Sequence, residues 1–164
     1  MVGLFNKVRL NFGLKILMIQ REPKIFSIIE LKCVIWLHKE NGLLNLKINK
    51  KKFIYLISPN KITNQFYSIL NDILKIGKVS FFQMRFKKYS FKQKILIGKK
   101  IKKICKKNKV KFIINDDPFL TKILNADGCH LGQKDIDITE ARKIIGDKII
   151  GITCHNSIKL AKTA

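Results

Sequence analysis

The chain has 164 residues, of which 46% are hydrophobic, and its formal net charge is +23. This length suits one domain of ordinary size, and the hydrophobic fraction excludes a disordered polar chain. With a mean hydropathy of +0.01 and no long uncharged apolar run, we expect no membrane-spanning helix and no membrane partner.

The positive charge is carried almost entirely by lysine. Arginine occurs only at Arg9, Arg21, Arg85 and Arg142. Proteins that read nucleic acids favour arginine because its guanidinium group makes bidentate contacts. The lysine-rich composition therefore predicts solvated helix faces, and nucleic-acid binding is not expected.

The cysteines stand at Cys33, Cys105, Cys129 and Cys154, with no close Cys-x-x-Cys pair. This spacing predicts reduced, buried thiols in a cytoplasmic protein. Residues 1–20 are basic but lack the serine-rich composition and the cleavage pattern of a targeting segment. We therefore expect a cytoplasmic extension at this end of the chain.

Residues 1–49 form an N-terminal extension of unassigned role, and two structures remain open for part of it. Residues 25–37 fit an amphipathic helix. Residues 31–37 and 43–48 fit a hairpin that turns at Asn41-Gly42.

Residues 50–164 show apolar runs that alternate with stretches of helical spacing. The runs predict strands that are buried on both faces, at 53–57, 79–82, 110–114, 127–131 and 148–153. Helices are predicted between them: before Gly77, over 90–107, from Pro118, over 139–145 and from about Ser157. The alternation predicts an α/β fold with a parallel sheet. An open doubly wound sheet and part of a (β/α)₈ barrel both fit this pattern.

Polar residues follow the predicted strands at the point where each strand ends. Most of the 11 acidic residues lie between positions 116 and 147. In α/β folds the loops at the carboxyl ends of the strands converge and carry the chemistry. We therefore expect the functional site at that edge of the sheet.

Gln83, Arg85 and Lys87 alternate, so on a continuing strand their side chains would share one face. One amide and two cations would suit a diphosphate and the edge of a heteroaromatic ring. The alternative is an edge strand that carries solvated lysine in a lysine-rich protein.

Asp116 and Asp135 each come after a predicted strand. Two carboxylates on neighbouring strand ends could share one Mg²⁺ ion, which prefers oxygen ligands. Considered alone, Asp116 is more typical of a helix N-cap before Pro118, and Asp135 of a turn. His130 is interpreted as a structural histidine within a strand.

Five segments taken in order resemble the thiamine phosphate synthase family. They are Tyr-Leu-Ile-Ser-Pro at 55–59, Gln-Met-Arg-Phe-Lys at 83–87, Phe-Ile-Ile-Asn-Asp-Asp at 112–117, Ala-Asp-Gly-Cys-His-Leu-Gly-Gln-Lys-Asp at 126–135 and Ile-Gly-Ile-Thr-Cys-His-Asn at 150–156. The resemblance runs from Phe53 to the end of the chain.

The resemblance implies a (β/α)₈ TIM-type barrel, of which 50–164 would hold about five βα units. It also implies a transferase that joins hydroxymethylpyrimidine diphosphate to a thiazole phosphate and releases diphosphate. On this basis the ligands of the pyrimidine diphosphate would be Gln83, Arg85, Lys87, Asn115 and Thr153. Asp116 and Asp135 would hold Mg²⁺, and no catalytic acid or base is expected.

The family barrel has three further βα units, whereas this sequence stops at Ala164 within the fifth helix. A barrel without them would expose strand edges, which favours association. We therefore expect a fragment, a truncated product, a chain completed by a complementing fragment, or an obligate homo-oligomer. The competing interpretations are a non-catalytic binding or assembly module and a relative of the thiazole tautomerases.

Overall fold

The computed structural model describes residues 7–9, 15–19, 34–37, 53–155, 157 and 159–160. Its strands are β1 (Lys7–Arg9), β2 (Lys15–Ile19), β3 (Val34–Leu37), β4 (Phe53–Ile57), β5 (Val79–Met84), β6 (Lys111–Asn115), β7 (Gly128–Leu131) and β8 (Ile149–Thr153). Its helices are α1 (Phe66–Lys75), α2 (Phe91–Lys107), α3 (Pro118–Ile123) and α4 (Ile138–Ile145). None of these helices is both long and apolar enough to cross a membrane.

The strands form one sheet in the order β1-β2-β4-β5-β6-β7-β8-β3. The five central strands β4 to β8 are parallel. The three strands that precede them in the chain pair antiparallel at the two sides. The five predicted strands and the parallel sheet are therefore confirmed, with ends that differ by one or two residues. Of the predicted last helix, residues 159–160 are helical and the remainder lies outside the described residues.

The N-terminal extension contributes strands to the sheet. β3 pairs antiparallel with β8, from Val34 opposite Thr153 to Leu37 opposite Ile150. A helix that continues to residue 37 is therefore wrong, because this stretch satisfies its backbone groups across the sheet. The hairpin's turn at 41–42 and its second arm at 43–48 lie outside the described residues.

All four helices pack on one face of the parallel strands. The first hydrophobic cluster joins Leu56 and Phe82 of the sheet to Leu70 of α1, Ile101 of α2 and Leu120 of α3. In the second cluster, the β7 and β8 side chains of Cys129, Leu131, Ile150 and Ile152 pack with Ala141 and Ile145 of α4. A doubly wound sheet carries helices on both faces, whereas a barrel carries them only outside. The fold is therefore α/β, of incomplete (β/α)₈ barrel type.

The described cysteines are buried in this packing. Cys105, Cys129 and Cys154 are free thiols and at most 1% exposed. Burial raises the pKa of Cys105 and of Cys129 to about 12, which leaves both protonated and unreactive at neutral pH. The prediction of buried thiols is confirmed for these three, and Cys33 lies outside the described residues.

Helices α2 and α3 end in the same backbone cap. After α2 the N–H of Val110 donates to the carbonyl of Cys105 at 2.9 Å, and Lys109 has a φ of 57°. After α3 the equivalent left-handed residue is Asn125, with a φ of 45°. Glycine normally occupies this position, because a Cβ atom is strained there.

The Lys109→Gly variant should therefore be more stable than the wild type. We expect a gain of about 0.5–1 kcal/mol in the free energy of unfolding, since relief of strain exceeds the entropic cost of glycine. Urea denaturation measures the change. The matched control is Lys103→Gly, inside α2, which should lose about 1 kcal/mol. If Lys109→Gly lost stability as the control does, the backbone at Lys109 would not be strained.

Candidate functional site

Polar side chains collect at the carboxyl ends of the parallel strands, on the face opposite the helices. The strand register places Gln83 beside Ile113, Asn115 beside His130, and His130 beside Gly151. Side chains in register share a face of the sheet, and positions two apart on one strand share it too. At the carboxyl ends of the strands, the polar members of this face are Gln83, Asn115, His130 and Thr153. We call this edge of the sheet the mouth.

Two side-chain amides form one pair at the mouth. Nε2 of Gln83 donates a hydrogen bond to Oδ1 of Asn115, across 32 positions of sequence. Gln83 is buried, with 3% of its surface exposed. The pair fixes the orientation of both amides, so hydrogen-bonding groups stand in defined positions before any ligand arrives.

Ser58 ties the end of β4 to the end of β5. Its N–H donates to the carbonyl of Gln83 at 2.9 Å, and its Oγ accepts from the N–H of Arg85 at 2.8 Å. Sequence reasoning assigned Ser58 no role at the site. Its place after the first parallel strand, where the neighbouring strand ends, was the available signal.

Strand β5 ends at Met84, so Arg85 and Lys87 lie beyond it, and the condition of a strand that continues through Lys87 is not met. The N–H of Arg85 donates to the Ser58 side chain. The alternation of burial nevertheless persists, because Phe86 is buried in the helix-side cluster. Arg85 and Lys87 both lie close enough to Asp116 to lower its pKa.

Asp116 and Asp117 have separate roles. The carboxylate of Asp117 accepts from the N–H of Leu120 at 2.9 Å and caps α3. The interpretation of Asp116 as the N-cap is therefore wrong by one residue. Asp116 has a φ of 64°, a conformation that Asp tolerates, and its N–H donates to the carbonyl of His130 at 2.7 Å.

Asp135 stands close to Asp116. The pKa of Asp116 is raised from 3.8 to about 6, first by loss of hydration around its carboxyl group and then by a hydrogen bond to Asp135 and that group's charge. The charges of Lys87 and Arg85 oppose the rise. The structure thus brings together the two predicted metal-binding acids and two predicted phosphate-binding cations.

Asp135 also forms the turn that follows β7. Its Oδ2 accepts from the N–H of Gly132 at 2.6 Å. A Cβ atom at position 132 would come within 3.0 Å of the same oxygen. A residue without a side chain therefore lets the carboxylate fold back towards the strand end, and the turn role does not exclude a metal role.

Thr153 is held from two sides. Its hydroxyl shares a 2.8 Å hydrogen bond with Nε2 of His130, and its carbonyl accepts from Nε2 of Gln133 at 2.6 Å. Thr153 and His130 are both buried. Sequence reasoning gave Gln133 no role and treated His130 as structural. Their positions at the end of β7, beside the end of β8, were the available signal.

The mouth offers two acidic groups to a cation, and no larger set of metal ligands is present in the described part of the chain. No group of three or more His, Cys, Asp or Glu that could hold a metal occurs there. Two adjacent carboxylates that disfavour each other's ionisation fit a divalent cation, since the cation would remove the repulsion. Such an ion would complete its coordination with water and ligand oxygens.

The raised pKa of Asp116 predicts a pH-dependent stability in metal-free buffer. The folded state binds this proton more tightly than the unfolded chain, so stability should fall as pH rises from 3.8 to about 6. Asp116→Asn lacks this loss and should gain stability relative to the wild type over the same window. Urea denaturation at about pH 4 and about pH 7 measures the difference. If the difference in stability between the variant and the wild type were the same at both pH values, the pKa of Asp116 would not be raised.

Comparison with known proteins gives one family. The family model described as "Thiamine monophosphate synthase" matches residues 54–164. The chain is 66% identical over 119 residues to a "Thiamine-phosphate synthase" of Pelagibacter ubique, covering 72% of this chain and 57% of that protein. It is 42% identical to a protein of the same name from Fusobacterium nucleatum, covering 63% of this chain and 51% of that one.

A solved structure, "Thiamine phosphate pyrophosphorylase from Pyrococcus furiosus", aligns with a TM-score of 0.48 and 26% identity. The alignment covers 51% of this chain and 41% of that chain. The chain spans about half the length of the relatives it matches. The family match covers two thirds of the sequence, including every strand that lines the mouth. The chain therefore belongs to the thiamine monophosphate synthase family.

Proposed function

We propose that the mouth binds hydroxymethylpyrimidine diphosphate together with Mg²⁺, as part of a site that transfers the pyrimidine to a thiazole phosphate. The observation that supports the proposal is that amide, cationic and acidic side chains lie close together at the mouth. An oriented amide pair, two cations and two acids lie together, and each matches one part of that substrate. The names of the relatives support the same reaction.

In this proposal each group has a distinct task. The Gln83–Asn115 pair contacts the polar edge of the aminopyrimidine ring. Arg85 and Lys87 bind the diphosphate oxygens, and the Thr153 hydroxyl, oriented by His130, adds a further contact. Asp116 and Asp135 hold the metal, which when bound supplies positive charge beside the diphosphate.

The same residues would assist the transfer. As the C–O bond breaks, its electron pair leaves with the diphosphate, and Arg85 and Lys87 stabilise the negative charge that gathers there. The aminopyrimidine ring delocalises the positive charge on the remaining carbon, to which the thiazole nitrogen then bonds. No acid or base has to move a proton in either step, which agrees with a site built from amides and fixed charges.

We also propose that the protein works in the cytoplasm. The support is its set of free, buried thiols, which is typical of a reducing compartment.

Isothermal titration calorimetry with hydroxymethylpyrimidine diphosphate tests the binding proposal. We expect binding that is at least about tenfold tighter with Mg²⁺ than with EDTA, because the two acids otherwise repel the diphosphate. The control ligand is the pyrimidine monophosphate, which lacks one phosphate and should bind more weakly. Equal binding with EDTA would contradict the metal role, and no binding at all would contradict the site.

A further inference from the structure

A second concave site lies at the opposite end of the sheet. A cavity of about 490 Å³ opens at the amino ends of β6, β7 and β8, next to the C-terminal end of α2. Its charged lining residues are Lys102, Lys106, Lys109, Lys111, Lys148 and Asp127. We call this cavity the amino-end groove. Its volume lies within the range of small-molecule pockets.

The single carboxylate of the groove is already engaged. Asp127 accepts from Lys111 Nζ at 3.0 Å through Oδ1 and from the N–H of Phe112 at 2.9 Å through Oδ2. Lys148 donates to Oδ1 of Asn125 and to the carbonyl of Ala126. These contacts fix the position of two of the cations and leave the groove strongly positive.

The other three lysines, Lys102, Lys106 and Lys109, form no ion pair with any residue that the structure describes. The positive charges are also close enough to affect one another. Burial lowers the pKa of Lys148, Asp127 opposes the change, and the charge of Lys102 lowers it further. Like charges gathered in a concave, partly dehydrated place attract a multiply charged anion.

Ordinary structural roles account for only part of this arrangement. Lys106 lies in the last turn of α2, where a cation complements the helix dipole. Lys102 lies before that turn, and Lys111 and Lys148 belong to the sheet side of the groove. Lys109 occupies a left-handed position where glycine would be less strained.

We propose that the amino-end groove binds a small oligophosphate, a phosphorylated compound that carries several negative charges. The inference does not rest on the proposed function, because the groove and the mouth lie at opposite ends of the strands. A small anion suits the groove better than a nucleic acid does, because arginine, which proteins that read nucleic acids favour, is absent from its lining.

Isothermal titration calorimetry with inorganic triphosphate, in buffer with EDTA, tests the inference. The groove variant Lys102→Gln/Lys106→Gln should bind at least about tenfold more weakly than the wild type. The matched control is Lys99→Gln/Lys103→Gln, which removes two exposed lysines from the same helix with the same spacing outside the groove. It should change the affinity less than about twofold, since distant surface charges are screened.

Three results would overturn the proposal. Equal weakening in the two double variants would assign the binding to overall charge. Loss of triphosphate binding in Arg85→Gln would place the anion at the mouth instead. A single-stranded oligonucleotide that binds more tightly than triphosphate, and is equally affected by both double variants, would assign the surface to nucleic acid.

Discussion

The Asp116→Asn variant should bind hydroxymethylpyrimidine diphosphate at least about tenfold more weakly than the wild type when Mg²⁺ is present. The substitution removes one of the two acids proposed to hold the metal, and with it the positive charge that the metal would supply beside the diphosphate. Asparagine is the suitable replacement because it tolerates the φ of 64° at this position.

Calorimetry with and without the metal separates this explanation from a general loss of charge. The variant should bind equally with Mg²⁺ and with EDTA, since the metal-dependent part of the affinity is gone. The control Asp147→Asn removes the same charge from an exposed position near the amino end of β8 and should keep that dependence. A metal response in Asp116→Asn as large as in the wild type would show that Asp116 is not a ligand.

The Gly128→Ala variant should lose at least about 3 kcal/mol of stability or fail to fold. Gly128 begins β7, and a Cβ atom there would lie 2.3 Å from the carbonyl oxygen of Ile149 and 2.7 Å from its Cβ atom. The obstructing oxygen belongs to the backbone of the neighbouring strand. Relief of the clash would therefore require β7 and β8 to separate.

Urea denaturation and the soluble yield measure this effect. Gly77→Ala is the matched control, because its added Cβ atom would meet nothing within 4 Å. Its cost comes only from the φ of 73° and should be about 1 kcal/mol. If Gly128→Ala were no less stable than Gly77→Ala, the two strands would be further apart than the structure places them.

The hydrophobic pattern of the sequence predicts the central strands, whereas the barrel type is implied only by the family resemblance. Residues 53–57 form a continuous apolar run that stops at Ser58-Pro59, as a strand covered on both faces should. The choice between a barrel and a doubly wound sheet depends on which face each helix covers. Both folds give the same alternation along the chain, so pattern cannot decide between them. The strand at Val34–Leu37 is short, and its partner is more than 100 positions away.

In the site, too, some features follow from the local sequence, and others depend on contacts between residues that are far apart in the chain. The place of Gln83 and Asn115 at strand ends follows from their local sequence. The cap of α3 depends on a one-residue change in φ between Asp116 and Asp117, which the composition of the segment does not reveal. The contact of His130 with Thr153 depends on the register of β7 against β8. No local pattern contains that register.

Along each parallel strand, alternate residues lie on opposite faces of the sheet. On β4, β6 and β8, and on β5 from Phe81 onward, the odd-numbered side chains lie on the face that carries Gln83 and Thr153, and on β7 the even-numbered ones do. Their neighbours of opposite parity belong to the helix-side clusters. Adjacent residues in one strand therefore have different structural surroundings. One residue lies on the face of the proposed binding site, and the next packs against the helices and contributes to the stability of the fold.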